Sequence, residues 1–227
     1  MKWGVVVFPG TNDDRDTVYA LSDILGFDVE LLWHADRDLR GCDAIVFPGG
    51  FSYGDYLRCG AIARFSPLVG AVVEHARGGG TVLGICNGFQ ILCEAGLLPG
   101  ALLPNRGLRF ICRLESLKVE SVETAFSATL SPGELLQIPI KHGQGNYVAD
   151  DVTLRSLEEE GRVVFRYADG APNGSANDIA GIANPTGNVV GLMPHPEHAV
   201  DPALGKLDGR GLFESARLWL EQHSVHE

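Results

Sequence analysis

One pentapeptide constrains this chain more than any other feature. Residues 84–88 read Gly-Ile-Cys-Asn-Gly, with an apolar run before them and a helix-like stretch after them. Strand, sharp turn and helix is the arrangement in which Gly-x-Ser-x-Gly presents a nucleophile, and small residues let the chain fold back on itself. The start of the helix favours a thiolate at Cys86. The pattern indicates a nucleophile, but an inert buried cysteine in a Gly-rich turn fits this pentapeptide equally well.

Composition narrows the class of protein. The 227 residues carry a net charge of −11 with no basic run, which argues against nucleic acid or an anionic membrane as a partner. The five cysteines are odd in number and form no Cys-x-x-Cys pair, so a disulfide framework or a structural zinc site is not expected. A reducing cytoplasm fits best. The N-terminal apolar run, residues 3–8, is too short for a signal peptide, and no segment approaches transmembrane length.

Apolar runs alternate with helical patterns through the first half of the chain. The predicted strands are residues 3–8, 27–33, 43–47 and 81–83, and the predicted helices are residues 13–25, 68–77 and 89–95. Thr11 and Asn12 are the expected caps of the first helix. This alternation predicts an α/β fold with a mostly parallel, doubly wound sheet flanked by helices. Ligands bind such sheets beyond the carboxyl ends of the strands.

The second half of the chain has a different pattern of polar and apolar residues. Residues 109–114 and 117–122 alternate polar and apolar side chains, which predicts an antiparallel ribbon. Further predicted elements are strands 135–140 and 162–167, a helix at 151–159, a hairpin of 178–183 and 188–193, and a helix at 209–222. No repeat or linker interrupts the pattern, so we expect a single domain spanning residues 1–227.

Two late residues are candidates to act with Cys86. His195 and Glu197 follow the second hairpin strand. In an extended stretch these two side chains face the same way, so Glu197 would bond the His195 ring and His195 would act as the base of Cys86. Taken alone, His195 is better explained as a turn histidine and Glu197 as a solvated surface charge. The Gly-Gly pair ending at Gly50 follows another strand, where its amides would face an oxyanion.

Five stretches together resemble a known family. They are residues 5–12 (VVVFPGTN), 47–58 (FPGGFSYGDYLR), 84–90 (GICNGFQ), 139–143 (PIKHG) and 194–197 (PHPE), and in this order they span nearly the whole chain. The cysteine elbow and His-Pro-Glu resemble the class I, triad-type glutamine amidotransferases. The 51–55 loop and the Lys-His-Gly segment resemble, more narrowly, the glutaminase subunits of phosphoribosylformylglycinamidine synthase.

The resemblance implies a flavodoxin-like fold and a glutaminase reaction. The Cys-His-Glu triad would hydrolyse L-glutamine to glutamate and ammonia through a glutamyl thioester. Gly50 and Asn87 would supply the oxyanion-hole amides. Gln90 matches a position that contacts the glutamine substrate, and Gly143 matches one whose backbone holds the amino-acid end of the substrate.

The resemblance also implies partners. The ammonia would pass to a large ATP-dependent synthase subunit that converts formylglycinamide ribonucleotide to formylglycinamidine ribonucleotide in purine biosynthesis. A small third subunit often completes such an assembly. ATP and Mg²⁺ are expected in the synthase subunit, and no cofactor or metal is expected in this chain, whose sequence has no phosphate-binding loop or metal-ligand cluster.

Other interpretations remain open at this point. One alternative is a glutaminase that serves a different acceptor, in GMP or imidazole glycerol phosphate synthesis, and another is a γ-glutamyl hydrolase with no acceptor. The 51–55 loop argues against both. A non-catalytic regulatory module of the same fold has no physical need for all three triad residues. Cysteine hydrolases or chaperones of the related elbow fold lack the late strand carrying His-x-Glu.

One position departs from the family pattern. The segment after Lys-His-Gly usually reads Glu-Gly-Asn-Tyr in this family, whereas this chain has Gln144. A neutral amide keeps a hydrogen bond but loses the charge. We therefore expect altered affinity for substrate or partner rather than lost chemistry.

Overall fold

This computed structural model describes residues 1–223, so the last four residues of the predicted domain lie outside the described residues. The strands are β1 (Lys2–Val7), β2 (Asp28–Trp33), β3 (Ala44–Phe47), β4 (Thr81–Ile85), β5 (Ala101–Leu103), β6 (Ile111–Val119), β7 (Leu135–His142), β8 (Asn146–Val148), β9 (Val163–Tyr167), β10 (Ile179–Ala183) and β11 (Val189–Leu192). The α-helices are α1 (Asp14–Val18), α2 (Pro67–Arg77), α3 (Asn87–Glu94), α4 (Asp151–Glu159) and α5 (Arg210–His223).

A nine-stranded sheet of order β2-β1-β3-β4-β11-β10-β9-β6-β7 organises the chain. The first five strands in this order pair in parallel, and the remaining four pair antiparallel. The predicted mostly parallel, doubly wound fold with an antiparallel ribbon is therefore confirmed. The strand order reverses beside β1, and the carboxyl ends of β1, β3, β4 and β11 lie at one edge, where ligands bind such sheets.

The parallel strands form because their residues are apolar on both faces. Every residue of β3, β4 and β11 is buried, and so are the four central residues of β1. Continuous burial requires helices on both sides of the sheet, which explains the absence of alternation in these runs. Helix α5 returns to the same core, since Phe213 packs against Trp3 with ring centroids 5.9 Å apart.

The predicted ribbon has different bounds. Instead of two strands at 109–114 and 117–122, one continuous strand, β6, pairs with β7 from Ile111 opposite His142 to Lys118 opposite Leu135. Glu115, read as part of a break, is buried in mid-strand and accepts a hydrogen bond from Arg113 at 2.5 Å. Strand β7 also runs past its predicted end at residue 140, so Lys141 and His142 belong to a strand.

Three smaller features differ from the expectation or go beyond it. Thr11 and Asn12 do not cap the first helix: the N-cap is Asp13, and it makes no side-chain capping bond. That helix changes from α to π geometry over Tyr19–Ile24. The two-stranded sheet of β5 and β8 was missed because each strand has only three residues. Among the described residues, no helix combines the length and apolar character needed to cross a membrane.

Candidate active site

Cys86 lies where β4 turns sharply into α3. Its φ of 51° and ψ of −104° form a conformation that a residue with a Cβ keeps only when its surroundings enforce it. Two glycines permit the turn: a Cβ on Gly84 would lie 2.8 Å from the backbone of Gly88, and a Cβ on Gly88 would overlap the carbonyl oxygen of Phe47. The predicted strand, elbow and helix are present, and the elbow strains Cys86 at the edge of the sheet.

His195 reaches the same edge from β11. Its backbone N–H donates to the carbonyl oxygen of Pro139 at 2.8 Å, which ties it to β7. Nδ1 of His195 lies 2.6 Å from Oε1 of Glu197, and neither side chain is exposed. The predicted contact is therefore made, but the predicted backbone is wrong: Pro196–His198 is a 3₁₀ turn rather than an extended stretch.

The His195 ring is a buried cation. Burial disfavours its protonation, but the Glu197 carboxylate and Cys86 outweigh burial and raise the pKa of His195 to about 10. Its Nε2 has no hydrogen-bond partner among residues 1–223. Because Nδ1 is engaged with Glu197, Nε2 carries the proton that remains available for transfer.

Asp13 belongs to this site, although its sequence context indicated only an acidic residue in the first turn of a helix. It is 3% exposed, pairs with Lys141, and places Oδ1 3.5 Å from Nε2 of His198 and Oδ2 3.7 Å from Nδ1 of His195. Burial pushes the pKa of Asp13 upward, yet His198, His195 and Lys141 outweigh it and hold that pKa well below the ordinary 3.8. His195 thus faces two carboxylates.

The predicted oxyanion donors lie on both sides of the elbow. Gly50 has a φ of 148° and lines the pocket, and its amide donates no hydrogen bond to any described residue. Its neighbours anchor the turn, because Phe51 donates to the carbonyl oxygen of Gly10 at 2.9 Å. Asn87 is the first residue of α3, so its amide belongs to the unsatisfied N–H groups at the helix start.

A cavity of about 390 Å³ opens over Cys86, within the usual range of small-molecule sites (about 300–1,000 Å³). Its walls are formed by Asn12, Asp13, Gly50, Phe51, Asp55, Cys59, Cys86, Gln90, Phe110, Lys141, His142, Gly143 and Gln144. It brings together the predicted nucleophile, one oxyanion amide and both predicted substrate contacts. His195, Glu197 and Asn87 lie behind this wall.

A hydrogen-bond chain joins the start of α3 to the segment after β7. Nδ2 of Asn87 donates to Oε1 of Gln90 at 2.8 Å, and Nε2 of Gln90 donates to the carbonyl oxygen of Gln144 at 2.6 Å. The Gln144 side chain makes no hydrogen bond within the described chain. Gln90 therefore connects α3 to the segment that contains Gly143.

Buried Asn105 is a second residue that the sequence did not reveal. Its side chain donates to the carbonyl oxygen of His142 at 2.9 Å and accepts from the amide of Gly145 at 3.0 Å. These bonds bracket Gly143 and Gln144. Burial and the nearby His195 lower the pKa of His142 to about 4, so this ring is neutral at neutral pH.

Two cysteines line the pocket, but their surroundings differ. Burial and the neighbouring Asp55 carboxylate raise the pKa of the Cys59 thiol strongly. A thiol held in its neutral form is a poor nucleophile. Cys86, at the helix start and beside a cationic imidazole, is the one placed to react.

The residue types here also suit a metal, but their arrangement does not. Ligand atoms of Asp13, His195, Glu197 and His198 lie within 4.8 Å of one another. The ammonium of Lys141 already occupies Asp13, and the proton on Nδ1 of His195 occupies Glu197. A metal ion would have to displace both the Lys141 ammonium and the proton on Nδ1 of His195. The cluster therefore fits a network of ion pairs and hydrogen bonds better than a metal site.

The fold and the site together define a class I glutamine amidotransferase: a doubly wound sheet, a cysteine elbow after β4, and a His–Glu pair after the neighbouring β11. The model of the CobB/CobQ-like glutamine amidotransferase domain matches residues 1–220. Phosphoribosylformylglycinamidine synthase subunit PurQ of Rubrobacter xylanophilus is 60% identical over 215 residues, covering 95% of this chain and 97% of the relative. The same subunit of Trichormus variabilis is 58% identical over 214 residues, covering 94% and 96%.

A solved structure is also similar. A chain of the PurLQS structure from Thermotoga maritima is 44% identical, with a TM-score of 0.87, covering 96% of this chain and 98% of that one. This chain belongs to the glutamine amidotransferase family, in the branch of phosphoribosylformylglycinamidine synthase subunit PurQ.

Proposed function

We propose that the chain is the glutaminase subunit of phosphoribosylformylglycinamidine synthase, and that Cys86, His195 and Glu197 are its catalytic triad. The observation that carries this proposal is the strained Cys86 in a pocket beside a buried imidazolium fixed by Glu197. Relatives about 60% identical bear that subunit's name, and the glutaminase reaction is the chemistry that this arrangement serves.

In the first half-reaction the Cys86 sulfur attacks the carboxamide carbon of L-glutamine. The carbonyl oxygen becomes negative, and the amides of Gly50 and Asn87 stabilise it. His195 then gives its Nε2 proton to the departing nitrogen, so the C–N bond breaks with ammonia as the neutral leaving group. A glutamyl thioester on Cys86 and a neutral His195 remain.

The second half-reaction restores the enzyme. Neutral His195 takes a proton from water, whose oxygen attacks the thioester carbon, and the same two amides stabilise the new oxyanion. The C–S bond breaks, glutamate leaves, and the thiolate and imidazolium are regenerated. Glu197 holds the ring orientation through both steps, because its 2.6 Å hydrogen bond fixes which ring nitrogen faces Cys86.

The proposed partners are a large synthase subunit and a small third subunit. The similar chain from Thermotoga maritima belongs to a structure named PurLQS. The synthase subunit would bind ATP and Mg²⁺ and use the ammonia to convert formylglycinamide ribonucleotide to formylglycinamidine ribonucleotide. This chain would then need no cofactor or metal of its own. We also propose that residues 1–227 form one domain and act in the cytoplasm.

The surface around the pocket suits a protein partner. An apolar rim, defined here as Phe51, Tyr56, Leu57, Leu108 and Phe110, is 48–94% exposed at each residue. Two of its members, Phe51 and Phe110, also line the pocket. An apolar surface continuous with an active site is typical of an interface rather than of free surface. The synthase subunit is the proposed occupant, since ammonia released there would enter it directly.

Turnover of the reconstituted complex tests the chemistry. We expect Cys86→Ser to abolish glutamate release from L-glutamine. Cys112→Ser, which changes an exposed cysteine, is expected to keep wild-type turnover. Undiminished activity in Cys86→Ser would contradict the proposal.

Assembly tests the partner. Leu57→Asp and Leu108→Asp on the apolar rim are expected to prevent co-purification with the synthase subunit. Leu135→Asp is the matched control, because Leu135 is 59% exposed but begins β7 at the end away from the site. Normal assembly of both rim variants would contradict the proposed interface, and co-purification with a different synthase would contradict the proposed acceptor.

A further inference from the structure

Asp55 is a carboxylate of the pocket that the proposed chemistry does not use. It lies in the loop after β3, half-buried, with a φ of 55°, and it forms part of the pocket wall. Its Oδ1 accepts a hydrogen bond from Nδ2 of Asn87 at 3.4 Å. The same Asn87 nitrogen donates to Gln90, so Asp55 and Gln90 lie side by side at one end of the pocket.

Among the described carboxylates of the site, Asp55 is the one without a cationic partner. Asp13 is paired with Lys141, and Glu197 is paired with His195. Within the described span, Asp55 forms no ion pair. The nearest basic residue along the chain is Arg58, which forms a two-point ion pair with Glu94 at 2.5 and 2.8 Å instead. The site therefore presents one unpaired carboxylate to whatever fills the pocket.

Keeping the Asp55 carboxylate ionised in this half-buried place without a cation costs free energy. Burial raises the pKa of Asp55, and the neighbouring Cys59 and Asn87 offset burial only in part. A cation brought by the ligand would remove this cost. L-Glutamine carries one cationic group, its α-ammonium, and one anionic group, its α-carboxylate.

We propose that Asp55 binds the α-ammonium of L-glutamine and thereby selects α-amino acids over other carboxamides. This inference rests on the proposed glutaminase function. The opposite charge of the substrate has a complementary site, because Gly143 and Gln144 line the pocket and their backbone amides donate no hydrogen bond to a described residue. Gln90 lies between the two.

The neutral side chain of Gln144 leaves the binding of the ammonium to Asp55. A carboxylate at position 144 would share the binding of the ammonium, but this chain has a neutral amide there. Asp55 is then the one unpaired carboxylate among the pocket residues that the structure describes. Its loss should remove the preference for an amino group altogether.

A purely structural role for Asp55 makes a different prediction. Its bond to Asn87 shapes the loop, and loss of that shape would weaken every carboxamide substrate equally. Loss of an ammonium contact would weaken only substrates that carry an α-amino group. An analogue that lacks the group, 4-carbamoylbutanoate, separates the two.

The experiment measures kcat and KM of the reconstituted complex for L-glutamine and for this analogue. In Asp55→Asn, which keeps a hydrogen-bond acceptor without the charge, we expect the KM for L-glutamine to rise about 10- to 100-fold while kcat changes little. The kcat/KM for the analogue is expected to stay within about twofold. Asp55→Ser is a second uncharged variant, and Asp55→Glu is expected to recover part of the lost affinity.

Asp169→Asn is the matched control, because this substitution removes one exposed negative charge from a residue outside the pocket wall. It should leave both substrates unchanged. An equal loss for both substrates in Asp55→Asn and Asp55→Ser, or no loss for either, would overturn the inference while leaving the glutaminase function intact. A wild-type complex that releases no glutamate from L-glutamine would instead overturn the proposed function itself.

Discussion

The ion pair between Asp13 and Lys141 gives the sharpest prediction of stability. Asp13 is a buried member of the pocket wall, whereas 31% of the Lys141 side chain is exposed. Asp13→Asn keeps the size and hydrogen-bonding capacity of the side chain but removes its charge. Lys141, His195 and His198 then face a neutral amide in a partly buried site. We expect this variant to be less stable than the wild-type chain.

The size of the effect follows from the exposure of Lys141. Breaking a fully buried ion pair by removing one partner costs about 3–5 kcal/mol. Since Lys141 is partly hydrated, we expect a loss of about 2–3 kcal/mol in the free energy of unfolding. With a urea slope of about 2 kcal/mol per M, the unfolding midpoint should fall by about 1–1.5 M.

The pH dependence has a definite sign. The folded-state pKa of Asp13 is depressed below its ordinary value of 3.8. Its contribution to stability is therefore complete above pH 3.8 and is lost as the pH falls through the lower, folded-state pKa. The difference between wild type and Asp13→Asn should be equal at pH 7.5 and pH 5.5, and it should shrink only below about pH 4.

Urea unfolding followed by circular dichroism measures these quantities. Asp169→Asn, an exposed substitution with the same charge change, should keep the wild-type midpoint. A midpoint for Asp13→Asn that matches this control would refute the stabilising role of the ion pair. A difference that already disappears at pH 5.5 would refute the depressed pKa of Asp13.

Three further predictions concern activity. Glu197→Gln should lower turnover about 10²- to 10⁴-fold. Because the pKa of His195 is raised from 6.5 to about 10, the His195–Glu197 charge pair stabilises the fold fully below pH 6.5, and this stabilisation is lost as the pH rises towards 10. The urea midpoints of Glu197→Gln and wild type should therefore differ at pH 6 and converge at high pH. In Gly49→Ala the new Cβ would overlap the Asp13 carboxylate and approach Cε1 of His195 to 2.6 Å, so kcat should fall with little change in KM. Gly70→Ala is the control, because a Cβ at Gly70 meets no atom within 4 Å and this variant should behave as wild type. Equal kcat values for the two variants would contradict the packing around Gly49. Gln144→Glu should change the KM for glutamine or the Kd for the synthase subunit, and unchanged values of both would mean that this position is neutral.

The parallel half of the sheet was predictable because its signal is local. The apolar runs of β1, β3 and β4, rich in valine and isoleucine and buried in the sheet, predict strands of a doubly wound sheet without any tertiary information. The elbow at Cys86 was predictable for the same reason, since its glycines are needed within the turn itself. The bond between His195 and Glu197 was predicted from a spacing of two residues, and only the backbone that delivers it was misjudged.

The remaining features depend on partners distant in sequence. Asp13 and Lys141 are separated by 128 residues, and nothing local distinguishes Asp13 from the acidic residue beside it. Its position after the carboxyl end of β1, where ligands bind such sheets, was the one available signal. Glu115 likewise interrupts the alternating pattern, and the strand continues through it because β6 pairs with β7, where Glu115 lies opposite Ile138.

Covalent labelling with a glutamine-mimicking electrophile tests the central claim most directly. The chain is treated alone and with the synthase subunit, each with and without excess L-glutamine, and the modified peptide is located by mass. We predict label on Cys86 that glutamine suppresses, while Cys42, Cys59, Cys93 and Cys112 serve as internal controls. Label on those cysteines instead, or none on Cys86 even with the synthase subunit present, would contradict the assignment of Cys86 as the nucleophile of a glutaminase.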